Sequence, residues 1–176
     1  MHDIQAPAKP SLFRLVSDMN TAFSNPRGDP HNIDWVRLRR QVTNIAGEHR
    51  GDEYKELLDA IDEKSVYRTR DALADILVFT LGAFHFMGYD ADVDTAEVVR
   101  AVMTRFCRDP AHLAATIEWY AGRGVSDVYY EGEFPRVALK ARTEQRNLIT
   151  GERISAGKFL KALGYAEPNF LPLAAP

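Results

Sequence analysis

Two aspartates, Asp71 and Asp75, open an otherwise apolar stretch that runs to Met87 (Asp-Ala-Leu-Ala-Asp-Ile-Leu-Val-Phe-Thr-Leu-Gly-Ala-Phe-His-Phe-Met). At helical spacing they lie one turn apart on the same face. The stretch is apolar nearly all the way round, which predicts a helix buried on every side. Carboxylates in such surroundings need a partner, because desolvating an ion costs several kcal/mol. Upstream, Glu53 and Glu56 sit three apart at the edge of a Leu57–Ala60–Ile61 stripe on a second expected helix. Taken alone, those two glutamates suit a solvated helix face; Asp75 is the acid whose setting most demands a counter-charge. A hard divalent cation meets that demand for all four. All-oxygen ligation selects Mg²⁺, Mn²⁺ or Ca²⁺ over zinc, which favours histidine or thiolate. No loop carries the alternating Asp/Asn pattern with a central glycine that marks an EF-hand, and acids on helices suit Mg²⁺ shared with substrate phosphates. Two such ions activate a water and stabilise a leaving pyrophosphate.

The elements that must position these acids are mostly helices. Leu12, Leu15, Val16, Met19 and Phe23 recur at helical spacing, and Asn25–Asn32 reads as a loop from its punctuation. Asp34 is the expected N-cap of a helix from Trp35 that continues, with a break at Gly47 or Gly51, into the Glu53–Glu56 segment. A turn at Asp62–Ser65 leads to the Asp71–Met87 helix, which Gly88 ends. Further helices are expected over Asp94–Phe106 and from Asp109-Pro110 to Ala121, stopped by Gly122-Arg-Gly124. The period then changes, and Val128–Tyr130 with Val137–Leu139 predicts a β-hairpin. A short tail helix is expected around Phe159, Leu160 and Leu163, ended by Gly164. With no repeat and no linker, the 176 residues read as one all-α domain with a small β appendage, residues 1–10 being a loose tail and 125–176 a hairpin and arm.

Composition narrows the class. A net charge of −3 leaves no electrostatic footprint for nucleic acid. Cys107 is the single cysteine, so an internal disulfide is excluded and a reducing compartment is expected. The first twenty residues lack the apolar run of a signal peptide, and no stretch reaches the roughly 20 apolar residues of a bilayer span. A cytoplasmic protein with no membrane partner is expected.

Together these residues amount to a resemblance. Asp52-Glu-Tyr-Lys-Glu56 followed by Asp71-Ala-Leu-Ala-Asp75 resembles the Glu-x-x-Glu…Glu-x-x-Asp signature of the MazG-like all-α nucleoside triphosphate pyrophosphohydrolases, and the phage-type branch in particular. Gly88-Tyr-Asp90, Met103-Thr-Arg-Phe106 and Gly157-Lys-Phe-Leu-Lys161 with Pro168 extend the likeness over about residues 12–170. The resemblance implies a MazG-like helical bundle and cleavage between the α and β phosphates, giving a nucleoside monophosphate and pyrophosphate. It also implies Mg²⁺ or Mn²⁺, and a homodimer or homotetramer whose sites a neighbouring subunit completes. Its metal ligands fall on Glu53, Glu56 and Asp75, the three residues taken as catalytic. A strict Glu-x-x-Asp would need glutamate at Ala72, so Asp71 is the substitute; Val102 stands where the family often has asparagine.

Arg105 occupies a position where the family has lysine or arginine and is assigned to substrate phosphate, for which a planar guanidinium is suited. Lys158 and Lys161, one turn apart on the expected tail helix, suit a solvated face and are also the candidates to close over the triphosphate, in their own or a neighbour's site; Lys140 is a weaker candidate. Glu48 is a candidate to hold a metal ligand in place or to activate the attacking water. His85 reads as a satisfied core histidine, Asp90 as a helix-end residue, and Trp35 and Trp119 as core. The favoured substrate is dGTP, on the phage-type, MazZ-like likeness alone, since that branch includes enzymes that reshape nucleotide pools for 2-aminoadenine genomes. The alternatives are phosphoribosyl-ATP hydrolysis and an inactive helical nucleotide-binding or oligomerisation module, for which the Ala72 and Val102 departures speak.

Overall fold

The computed structural model describes residues 10–46 and 52–170. These form six helices and four short strands, so the chain is mainly helical with a small antiparallel β element near its C-terminus. It divides into two compact units, and the division falls after Asp94, inside the fifth helix. Among the described residues no single helix is long and apolar enough to cross a membrane.

The first unit is built on α1 (Leu12–Ala22), α2 (Trp35–Thr43), α3 (Glu53–Asp62) and α4 (Val66–Met87). Each start is fixed by a side-chain cap: Ser11, Asp34, Asp52 and Ser65 accept from the backbone N–H three residues on. α4 is the central element, since α1, α2 and α3 all pack on it. Phe13 and Val16 of α1 bury against Leu81, Val78 and Phe84 of α4 and against Ala91. Gly88, with φ of 81°, ends α4 in the left-handed conformation that favours glycine.

α4 is longer than expected, starting at Val66, and it is not buried on every side. Ala72, Leu81, Gly82, His85 and Phe86 are buried, but Leu73 and Leu77 keep 51% and 44% of their surface exposed. Three neighbouring helices cannot surround a fourth, so one apolar flank of its N-terminal half stays open. α2 and α3 are separate helices; the joining residues 47–51, with Glu48 and His49, lie outside the described residues.

The loop after α1 is pinned to the end of α4. The Gly28 N–H donates to the His85 carbonyl at 2.9 Å, and Arg27 donates to the carbonyls of Gly88 and Tyr89 at 3.0 and 3.1 Å. A Cβ on Gly28 would overlap the Phe86 carbonyl, so only glycine lets the two backbones approach.

The second unit contains most of α5 (Ala91–Met103), then α6 (Pro110–Ala121), with Asp109 as N-cap and Pro110 in the first turn. β1 (Val128–Glu131) pairs antiparallel with β2 (Ala138–Ala141), Val128 opposite Ala141, so the expected hairpin is present. A second antiparallel pair, β3 (Gln145–Arg146) with β4 (Arg153–Ile154), has no counterpart in the sequence pattern. Leu113 and Tyr120 of α6, Leu139 and Ala141 of β2, Ile154, Leu160 and Ala162 form one core.

The expected tail helix is absent. Residues 158–162 run extended beside β2: Ala141 N–H donates to the Lys158 carbonyl at 3.1 Å, and Leu160 N–H donates to the Leu139 carbonyl at 2.8 Å. Leu160 and Ala162 are buried while Lys161 between them is exposed, a period of two rather than 3.6. Pairing with β2 overrides the local spacing.

Candidate functional site

α3 and α4 pack side by side and place Glu53, Glu56, Asp71 and Asp75 in one electrostatic neighbourhood. Glu53, in the first turn of α3, and Asp75 are half-buried, whereas Glu56 and Asp71 are exposed. The Glu53 carboxyl is pushed above the ordinary carboxylate value, first by desolvation and then by the charges of Glu56, Asp75, Asp52 and Asp71. Neighbouring acids are already matched: Asp59 pairs with Lys55 at 2.8 Å, and Glu63 pairs with Arg68. Among the described residues none of Glu53, Glu56, Asp71 and Asp75 has an ion-pair partner.

This donor set fits a hard divalent cation by its chemistry, all carboxylate oxygen with uncompensated charge. Among the described residues, however, no three acid, histidine or cysteine side chains are grouped closely enough to hold an ion. Ala72, where the strict signature would have glutamate, is buried, and the neighbouring Asp71 is on the surface.

The three basic residues assigned to phosphate lie in the second unit. Arg105, Lys158 and Lys161 line a single cavity of about 390 Å³, together with Trp119, Tyr120 and Tyr165. Arg105 is no surface cation: its Nε is buried without a hydrogen-bond partner, and its guanidinium lies 5.4 Å from the centre of the Tyr165 ring. Lys158 and Lys161 are ion-paired at the surface to Glu152 (2.5 Å) and Glu167 (2.6 Å). Because their segment is extended, the two lysines are not one helical turn apart. Lys140 pairs with Glu131 across the hairpin at 2.5 Å and is not at the cavity.

His85 is a satisfied core residue, fully buried, with Nδ1 2.8 Å from Ser17 Oγ and Nε2 2.9 Å from the Asn25 carbonyl. That carbonyl can only accept, so Nε2 carries the proton donated to it. Asp90 accepts from the Asp92 N–H at the start of α5, a helix-end role. Trp35 is 66% exposed and Trp119 borders the cavity, so neither is a core tryptophan. Trp119 is the residue that spacing did not bring to the site. Its one visible signal is Arg123, four residues on, whose guanidinium stands 3.5 Å from the ring centre.

No family model matches this chain, and no curated protein matches it either.

Proposed function

We propose that the protein is a divalent-metal-dependent nucleoside triphosphate pyrophosphohydrolase of MazG-like fold. The observation that carries this reading is Glu53 on α3, whose carboxyl is held above its ordinary value by burial and by the charges of Glu56, Asp75 and Asp71, while Asp59 and Glu63 close by are paired with cations. Such unrelieved repulsion is the electrostatic preparation of a cation site.

Bound Mg²⁺ or Mn²⁺ would supply Lewis-acid polarisation of the α-phosphate and a water of lowered pKa. Glu53, Glu56 and Asp75 hold the ions in this reading, and Asp71 takes the fourth position. Half-burial of Glu53 and Asp75 strengthens their hold, because charge is less screened away from water. Glu53 and Glu56, three residues apart in the first turn of α3, lie on one face of that helix, so one ion can draw on both. The substrate is a nucleoside or deoxynucleoside triphosphate, with dGTP the first to try.

A homo-oligomer belongs to the same proposal. Tyr54, Leu58 and Ile61 on α3, with Val66, Leu73 and Leu77 on α4, leave the helices that carry the acids with a broad exposed apolar surface. Surfaces of this kind mark interfaces. A partner covering them would also bury the acids further. That accounts for a helix with the composition of a buried one and an open flank.

The test is to incubate the protein with Mg²⁺ and a panel of triphosphates and to separate the products. Release of pyrophosphate with the monophosphate is expected. Orthophosphate release would mean another hydrolase, and no turnover with any triphosphate would favour the inactive nucleotide-binding module.

A further inference from the structure

The cavity of the second unit is a separate feature, built wholly from residues 105–165. Its volume lies in the range of small-molecule sites. Three cations and one acid, Glu152, line it, giving a positive balance. The arrangement of those cations matters more than their number. Lys158 and Lys161 are held by carboxylates at the surface, in pairs that contribute little and exchange readily. Arg105 has no carboxylate partner among the described residues, and its buried Nε donates to nothing. A buried guanidinium N–H left unsatisfied is destabilising, and that loss is recovered when an acceptor arrives. An oxyanion is the acceptor that fits an arginine best.

The apolar part of the lining is aromatic. Arg105 and Lys161 both stand by the Tyr165 ring, the lysine Nζ 4.3 Å from its centre. Trp119 is fixed by Arg123 over its ring and by Tyr120 against its edge, the ring centres of the two aromatics 4.9 Å apart. Tyr120 is fixed in turn, its hydroxyl accepting from the Lys161 N–H at 3.1 Å. Rigid aromatic walls beside an unsatisfied cation suit a ligand with a flat ring at one end and a phosphate at the other.

We propose that this cavity binds a phosphorylated planar aromatic molecule of nucleoside-monophosphate type, its phosphate on Arg105 with Lys158 and Lys161, and its ring against Trp119 and Tyr165. The site does not depend on chemistry at the α3–α4 carboxylates.

The experiment uses the full chain carrying Trp35→Phe, an exposed position, so that Trp119 is the sole tryptophan. It is run in chelator, which keeps divalent ions from bridging phosphates to the acids, and follows Trp119 fluorescence during titration with GMP, guanosine and inorganic phosphate. GMP should give saturable quenching, with guanosine and phosphate each weaker by about tenfold or more. Arg105→Gln should weaken GMP about tenfold, whereas Glu53→Gln should leave it unchanged. The pair Lys158→Gln and Lys161→Gln, both at surface positions, should weaken GMP several-fold and reduce its salt dependence. This double variant serves if Arg105→Gln does not fold. No saturable response to GMP at about 1 mM, guanosine binding as tightly as GMP, or full affinity in the Arg105→Gln protein or in the lysine double variant would overturn the proposal. Such a failure leaves the pyrophosphohydrolase reading intact, since turnover is measured separately and with metal. Loss of turnover with GMP binding retained would count against that reading alone.

Discussion

Replacing Glu53 by glutamine should change stability in opposite directions with and without metal. Glu53 and Glu56 are an i, i+3 like-charge pair on α3, and Asp71 and Asp75 act on Glu53 from α4. Removing one charge from such a pair is worth roughly 0.2–0.5 kcal/mol on a helix surface. In a chain of this length that raises the melting temperature by up to about 2 °C. With Mg²⁺ at about a hundred times its dissociation constant, the wild type gains about 2.7 kcal/mol, or some 5–10 °C. If losing a ligand weakens Mg²⁺ about tenfold, the variant gains only about 1.4 kcal/mol at that concentration. The order of the two proteins therefore reverses between chelator and metal. The pH dependence has a fixed sign. A carboxyl whose folded pKa is raised binds its proton more readily folded than unfolded, so wild-type stability falls as pH climbs from the ordinary 4.5 through the raised value. Glu53→Gln should lack that fall, and the two chelated proteins should converge below pH 4.5. Melting by circular dichroism across pH, with chelator and with Mg²⁺, measures all of this. A variant less stable in chelator that gains as much from Mg²⁺ as the wild type would refute the assignment.

Three other outcomes are expected. Asp75→Asn should lower pyrophosphate release by about 100-fold or more, and Asp71→Asn by a smaller, measurable factor; a fully active Asp75→Asn enzyme would remove the proposed site. Leu139→Ala, at a fully buried position of β2, should cost about 2–5 kcal/mol, read from the denaturation midpoint; a cost well under 1 kcal/mol would contradict the packing of the second unit. Sedimentation at micromolar concentration should show a dimer or tetramer that Leu73→Lys with Leu77→Lys dissociates, and a monomeric wild type would exclude the α4 flank as an interface.

The helices were legible because their ends carry local chemistry. Asp34, Asp109-Pro110 and Gly88 stand where the structure caps or stops a helix. The tail misled for a physical reason. Phe159, Leu160 and Leu163 satisfy a helical spacing, but the bonds of Ala141 and Leu160 to residues some twenty positions away decide the conformation, and no local pattern reports them. β3 and β4, two residues each, are too short to show a period. For the site, the four acids were found from type and spacing, but their exposure was not. Composition shows that a helix wants to be covered and is silent on whether its own chain does the covering. The place of Arg105 in the family pattern and the cationic ends of Lys158 and Lys161 point to phosphate, and all three line one cavity; Trp119 gives no such sign, because tryptophan in a small helical domain is usually core.

The contact between the Gly28 loop and the end of α4 has a consequence for how the chain breathes. By composition Asn25–Gly28 should exchange its amide hydrogens within moments, as surface loops do. Yet the Gly28 amide is bound to the His85 carbonyl, and the Asn25 carbonyl accepts from the buried His85 ring. Exposing that amide to solvent requires the last turn of α4 to open, so Gly28 should exchange at the slow rate of the helix it seals. The same coupling makes this loop intolerant of changes in length. An added residue would release the helix end and the histidine together, while His31 and Asn32, exposed and bonded only within their own turn to Asp29, should accept one beside them.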